Sequence, residues 1–257
     1  MIHLQSVTVI RQGKAILQDI TWHNEHHHYA ILGANGAGKT TLLQLIMGYL
    51  WPTQGSIRVL GHTLGKYDVR ELRKEIGFVS SALDQRLDNT EEALNIVISG
   101  RHATHAMYHT ITQAEREFAM HQLHRVGATN IAMTRFGALS HGEKQKVLLA
   151  RSLMAQAKIL IFDEPCNGLD FPSREDLLDT IETVAQSSDS PILLYVTHYP
   201  NEIVPSISHA LLVKAGKVWN EGAKADVLTS QWLTSLYDRD VDVSFAHGYP
   251  IVTSKRS

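Results

Sequence analysis

The sequence predicts an α/β domain: a mostly parallel sheet, an N-terminal antiparallel β-layer ahead of it, and a helical subdomain inserted into it. Three observations carry this expectation. Short, nearly unbroken apolar runs alternate with helical patterns, as buried parallel strands do when crossover helices join them. The opening stretch differs, with apolar segments at 2–9 and 15–20 flanking Gln12-Gly13 in the manner of an antiparallel hairpin. Between about residues 90 and 157 helical patterning runs almost without strands.

Taken in order, the hairpin supplies the β-layer, and Tyr29-Ala-Ile-Leu32 is a short buried strand followed by a helical pattern over 39–49. Helices are expected over 91–99, 112–126 and 143–155 in the insertion. Lys158-Ile-Leu-Ile-Phe162 is the next buried strand, then come a helix over 174–185, a loop at Ser187-Ser-Asp-Ser-Pro191 and a strand over 191–196. Scattered Leu, Trp and Tyr over 229–237 point to a docking helix, and the pattern from Asp238 onward is weak. One domain of 257 residues is expected, with its core at 1–89 and 158–237, the helical subdomain at 90–157 and a tail at 238–257.

Composition narrows the function. Lys plus Arg total 24 against 26 Asp plus Glu, so no positive field spans the molecule and a stable nucleic-acid partner is not expected. At 44% hydrophobic and 19% charged residues, a disordered or low-complexity chain is excluded. Apolar runs fall well short of the ~18 residues of a membrane span. The opening Met1-Ile-His-Leu-Gln-Ser-Val lacks the pattern of a secretory signal, and the single Cys166 cannot form an internal disulfide. The expected location is therefore the reducing cytoplasm.

Gly33-Ala34-Asn35-Gly36-Ala37-Gly38-Lys39-Thr40 matches G-x-x-x-x-G-K-[ST], sits directly after a predicted strand and opens a predicted helix with Thr41. The pattern predicts a phosphate-binding P-loop and hence nucleotide binding, a plain glycine turn before a helix being the alternative. Its glycines let the backbone wrap an anion, so that amide N–H groups and the helix N-terminus point at phosphate oxygens. Lys39 is expected to bridge the β- and γ-phosphates of ATP, and the Thr40 hydroxyl to ligate Mg²⁺. The strand 158–162 ends in Asp163-Glu164, and strand C-termini are where open α/β sheets bind ligands. Asp163 is placed to hold Mg²⁺, and Glu164 is the adjacent candidate for the general base that polarises the attacking water.

Leu139-Ser140-His141-Gly142-Glu143 opens the last helix of the insertion, Asn167-Gly-Leu-Asp170 follows the acidic pair, and Thr197-His198 follows a strand. With these in place and in order, the chain resembles the ATPase subunits of ABC (ATP-binding cassette) transporters over nearly its whole length. The first segment looks like the family's LSGGQ signature, the second its dimer-contacting D-loop, His198 its switch histidine, and 55–59 its early strand. The resemblance implies a dimer, either of identical chains or with a paired ATPase subunit. Each ATP then lies between Lys39 and Asp163 of one subunit and the signature residues Ser140, His141, Gly142 and Glu143 of the other, with Asp170 at the dimer contact and His198 on the γ-phosphate. It also implies an integral membrane permease on a separate chain, with this subunit peripheral on the cytoplasmic face.

The sequence departs from the family at three places. The usual glutamine after the short strand at 76–79 is replaced by Ser81, whose hydroxyl can meet Mg²⁺ through water; Gln85, one helical turn on, is the alternative. The family's adenine-stacking aromatic falls near Arg11, whose guanidinium plane can stack on adenine, a plain surface arginine being the equal alternative. Glu143 replaces the signature's glutamine, a charge near phosphate for Lys144 or Lys146 to offset. The Val-Ser-Ser and Ser-x-Gly-Glu variants are similar to a branch related to molybdate-transport ATPases. A soluble ATP switch acting on a cytosolic or nucleic-acid partner is the alternative function, and Lys144, Lys146 and Arg151 are its candidate basic patch.

Histidine is the compositional oddity at 15 residues, with His23, His26, His27 and His28 together and spacings at His105/His109 and His121/His124 that suit a helix face. No cysteine or carboxylate cluster completes a ligand set, and alternation along a strand sends adjacent rings to opposite faces. Cys166 reads as a small buried residue in a tight loop, with a redox sensor as its alternative.

Overall fold

The computed structural model describes residues 1–80, 87–102 and 111–255. They form two compact units, one of residues 1–73 with 192–255 and one of the described residues between 74 and 191. The architecture is that of a P-loop nucleoside triphosphatase, with parallel strands, an antiparallel N-terminal sheet and helices between them.

In the first unit, β1 (Ile2–Arg11) and β2 (Lys14–Asn24) pair antiparallel, with Ile2 opposite Asn24 and Arg11 opposite Lys14. Adding β4 (Gln54–Val59) and β5 (His62–Thr63) gives a sheet of order β2-β1-β4-β5. The buried residues of β1 are Ile2 and Leu4, then Val7 and Val9, so the two-residue period changes phase midway. The cause is a bulge, where the register shifts between Leu4 and Val7 and Ser6 takes a φ of 48°. Gly55 faces that bulge at a φ of 86°, and a Cβ there would lie 2.3 Å from the Ser6 carbonyl oxygen.

The same unit holds β3 (Tyr29–Leu32), buried along its whole length and parallel to both β8 (Ile192–Thr197) and β9 (His209–Lys214). β10 (Lys217–Ala223) returns antiparallel against β9. Helix α1 (Lys39–Ile46) follows β3 and ends three residues earlier than the pattern predicts, because Met47 caps it and Gly48 turns left-handed at φ 66°. Helix α2 (Val69–Lys74) leads out of this unit.

The second unit carries β6 (Ile76–Val79) parallel to β7 (Ile159–Asp163), Ile76 opposite Ile159. Helices α3 (Ala93–Ser99), α4 (Gln113–Arg125), α5 (His141–Met154) and α6 (Phe171–Gln186) complete it, with α5 packed on the other three. The fully buried Phe136, Val147, Leu148 and Leu149 form part of its core. Arg125 grips Asp189 through two parallel hydrogen bonds of 3.0 Å, tying α4 to the loop after α6.

The C-terminal residues return to the first unit as α7 (Lys224–Val227), α8 (Ser230–Tyr237) and an antiparallel hairpin of β11 (Val241–Ala246) and β12 (Tyr249–Ser254). The sequence shows this hairpin faintly because Val241 and Pro250 are the only buried residues in its two strands. Side-chain hydroxyls on α8 fix it instead: Thr234 Oγ1 accepts from Val241 N–H at 3.1 Å and Ser230 Oγ from Val243 N–H at 2.9 Å.

Helix α4 starts on a reciprocal cap, Thr112 Oγ1 accepting from Glu115 N–H at 3.2 Å while Glu115 Oε2 accepts from Thr112 N–H at 2.9 Å. Replacing Thr112 by Ala is expected to destabilise the protein by about 0.5–2 kcal/mol. The check is a lower midpoint of urea unfolding with an unchanged slope.

Candidate functional site

The loop 33–40 joins β3 to α1 by a close backbone approach. A Cβ on Gly33 would lie 2.3 Å from the Val213 carbonyl oxygen of β9, so only glycine fits there. Gly38 caps α1 in a left-handed conformation, φ 108° and ψ 2°, with no side-chain cap. The first hydrogen bond of the helix is Leu42 N–H to Gly38 O at 2.9 Å, so the N–H groups of the turn before it point out of the helix N-terminus. Those amides and the positive end of the helix dipole make an anion site. Lys39 is buried, its Nζ donating to Gly33 O at 2.7 Å and Ala34 O at 3.2 Å, while Ala34, Asn35, Gly36 and Thr40 are exposed and Ala37 is buried. Arg11, at the exposed end of β1, donates through Nη2 to Gln44 Oε1 of α1 at 3.4 Å.

In the second unit, β7 is buried until its last residue, where Asp163 and then Glu164 become partly exposed. Glu164 sits at φ 51°, a left-handed conformation that costs a non-glycine residue about 1–2 kcal/mol. Asn167 N–H closes the turn onto Glu164 O at 3.1 Å and Leu169 N–H bonds Cys166 O at 3.1 Å, with Cys166 buried beneath.

Ser140 is the N-cap of α5, and Glu143 completes a reciprocal cap with it. Glu143 N–H donates to Ser140 Oγ at 3.3 Å, and Ser140 N–H and Oγ–H both donate to Glu143 Oε2 at 2.8 Å. Glu143 therefore has a local purpose that the sequence reading missed, although S-x-x-E signals it. Its negative charge also suits the helix N-terminus. Gly142 is buried against α6, where a methyl would lie 3.2 Å from Ser173 Cβ. His141 Nε2 lies 3.2 Å from Asn167 O, joining the signature turn to the loop after Glu164. Asp170 caps α6, accepting from Ser173 N–H at 3.0 Å, and the bond from Ser173 holds its carboxyl below the usual aspartate range.

His198 follows β8, half-buried, its ring tilted against Tyr199 at 3.9 Å. Two residues that sequence reasoning passed over frame it. Glu202, 5% exposed, accepts from Thr197 Oγ1 at 2.6 Å, and Tyr237 of α8 donates from its hydroxyl to His198 O at 3.2 Å.

Other expectations resolve differently. Ser81, Gln85, His105 and His109 lie outside the described residues. The basic patch of the alternative function is not assembled. Arg151 is drawn inward to donate to Ser99 Oγ at 3.1 Å, with burial lowering its pKa, while Lys146 pairs with Asp176 at 3.9 Å and Lys144 lies over the Phe136 ring. The histidines at 26–28 go separate ways: His27 stacks on His209 at 3.8 Å and His28 Nδ1 accepts from Leu193 N–H at 3.0 Å.

Residues 17–167 match the model of the family described as "ABC transporter". The chain belongs to this family. It is an ATP-binding subunit of ABC type, with the P-loop fold that binds ATP in that family. One relative, an uncharacterised ABC transporter ATP-binding protein of Bacillus subtilis named YlmA, is 43% identical over 98% of this chain and 97% of its own. The molybdate import ATP-binding protein MolC of Haemophilus influenzae is 30% identical over 81% of this chain and 76% of its own. A solved structure, an inward-facing transporter described as of the metal-chelate ABC type, superposes with a TM-score of 0.79 at 26% identity, covering 99% of this chain and 97% of that one. Among the described residues of this ABC subunit, no helix is long and apolar enough to cross a membrane.

Gly33→Ala is expected to push the loop off the Val213 carbonyl, lowering stability by about 1–3 kcal/mol and weakening ATP binding by roughly tenfold or more. A thermal melt and a nucleotide titration on the same preparation check both effects.

Proposed function

We propose that this ABC subunit hydrolyses ATP with Mg²⁺ as one half of a dimer and drives a membrane permease carried on a separate chain. The observation that carries the reading is the loop 33–40, whose close-packed backbone aims the first turn of a helix N-terminus at the space beside a buried lysine. In this role Lys39 moves from its own loop carbonyls onto the β- and γ-phosphates, an exchange of neutral acceptors for charged ones. The Thr40 hydroxyl and the Asp163 carboxylate are hard oxygen donors of the kind Mg²⁺ takes. The ion, when bound, neutralises charge on the transferred phosphoryl group.

Glu164 is the proposed general base, aimed by its left-handed backbone and by the closed turn to Asn167. His198 is the proposed γ-phosphate sensor, with one donor and one acceptor nitrogen in its neutral ring. Ser140 and Gly142 are proposed to complete the partner subunit's nucleotide site through the N-terminus of α5, Asp170 to lie at the dimer contact, and Arg11 to stack on adenine. ATP closes the dimer and hydrolysis opens it, passing the motion to the permease. This places the subunit on the cytoplasmic face of the membrane. The MolC relative and the metal-chelate transporter support a transport role by their names. The inward turn of Arg151 and the pairing of Lys146 with Asp176 speak against a nucleic-acid partner on this helix.

Lys39→Ala is expected to abolish tight ATP binding, whereas Glu164→Gln keeps binding and loses about 10²- to 10⁴-fold in turnover. Equilibrium binding and single-turnover hydrolysis separate the two. Tagged Glu164→Gln protein, trapped with Mg-ATP in its own host and extracted in mild detergent, is expected to carry an integral membrane protein at stoichiometric yield. Recovery without any membrane protein would overturn the transport reading.

A further inference from the structure

The segment after β8 carries more polar fastening than a strand end needs. Thr197 is the last residue of β8 and is 1% exposed, and its hydroxyl works in both directions. It donates to Glu202 Oε2 at 2.6 Å and accepts from Tyr199 N–H at 3.0 Å. Tyr195, also on β8, places its hydroxyl 3.5 Å from the same Glu202 oxygen. Glu202 is reached by a single turn, Pro200–Glu202, that folds back under the strand. On the other side, Tyr237 at the end of α8 donates to His198 O at 3.2 Å.

These contacts converge on one peptide unit. The bond between His198 and Tyr199 has its carbonyl held by Tyr237 and its N–H held by Thr197, which Glu202 in turn holds. A peptide plane fixed at both its donor and its acceptor cannot rotate, so the ψ angle of His198 is set and with it the direction in which the imidazole leaves the backbone. The anchors are themselves seated. β12 packs on the turn Pro200–Glu202, and Lys224 Nζ donates to Val204 O at 3.2 Å, Pro205 O at 2.9 Å and Gly248 O at 3.2 Å, linking the strand-end loop to the hairpin turn. Burial raises the pKa of the Tyr237 phenol, which keeps its proton available for donation. An acidic side chain buried to this degree is a poor choice for stability alone, because an apolar residue of similar volume fills such a site without the cost of desolvating a charge.

We propose that Glu202 and Tyr237 are positioning residues for His198, and that α8 with the C-terminal hairpin is a brace that holds the switch histidine at the angle hydrolysis requires. The proposal rests on the reading of His198 as the γ-phosphate sensor. It gives α8, read from the sequence as a docking helix, and the weakly patterned stretch after it a part in the chemistry.

The test uses the full-length protein with Tyr237→Phe, which removes one oxygen and keeps the ring. Turnover is expected to fall roughly tenfold, as small misplacements of catalytic groups do, while the KM for ATP stays at the wild-type value and the melting temperature drops only by what one lost hydrogen bond costs. In a ¹⁵N-histidine NMR spectrum the signals of His198, assigned by their loss in His198→Ala, shift in the Tyr237→Phe protein. Glu202→Gln keeps an oxygen acceptor for Thr197 and is expected to retain turnover within about threefold; Glu202→Ala is expected to lose it as Tyr237→Phe does. Wild-type turnover in Tyr237→Phe, with His198→Ala inactive, would overturn the brace and leave the proposed function standing. Full turnover in His198→Ala would overturn the sensor assignment and the brace together.

Discussion

The approach of the Gly33 backbone to the Val213 carbonyl is the constraint on which the rest of the nucleotide loop depends. Because no side chain intervenes, the chain leaves β3 tight against β9 and must turn before helix α1 can begin. The turn is then pinned from outside, Ala37 O accepting from Gly216 N–H at 3.0 Å, while Gly216 O accepts from Gln18 N–H of β2 at 2.8 Å. The loop is thus suspended between the β9–β10 connection and the antiparallel layer. Its amides are organised before any anion arrives, which spares binding much of the ordering cost that a mobile loop would incur.

Local motifs and burial patterns explain most of what could be read in advance. β3 and β8 were legible as strands because they are buried along their whole length and, up to Thr197 at the end of β8, built of apolar and aromatic residues, and α5 because Ser140 announces its start. Residues 33–40, Asp163, Glu164 and His198 stood out because phosphate chemistry demands few residue types at fixed spacing. What escaped was held by contacts distant in sequence or by unremarkable residues. Glu202 and Tyr237 follow the histidine by 4 and 39 positions and belong to no motif of their own, and the C-terminal hairpin hangs on the hydroxyls of Ser230 and Thr234. The basic patch failed for a different reason: spacing along α5 places charges near each other without showing that Arg151 turns inward.

The signature turn illustrates how a substitution alters a site without removing it. A glutamate at position 143 leaves the helix-start architecture intact, since the N-cap hydroxyl and amide both have an acceptor in its carboxylate. For the α5 N-terminus to receive a phosphate in the proposed dimer, that carboxylate must yield Ser140 to a more highly charged acceptor. The helix is therefore built with its own competing anion, which keeps the Ser140 amide and hydroxyl occupied between encounters. His141 adds a second tie, to the loop that follows the strained Glu164, so the signature turn and the proposed base share a hydrogen-bonded path inside one unit.

The bulge at Ser6 carries a lesson for anyone lining this protein up with its relatives. β1 behaves as two short strands in series, each with perfect alternation but with opposite parity on either side of the extra residue. An alignment guided by hydrophobic alternation alone would slide one half by a position and place solvent-facing residues opposite core ones. Gly55 offers the correction, because a residue lacking a side chain on the neighbouring strand records where the extra residue sits. The length of this strand is consequently harder to change than its composition: swapping side chains leaves the phase intact, whereas dropping a single residue turns half the strand inside out.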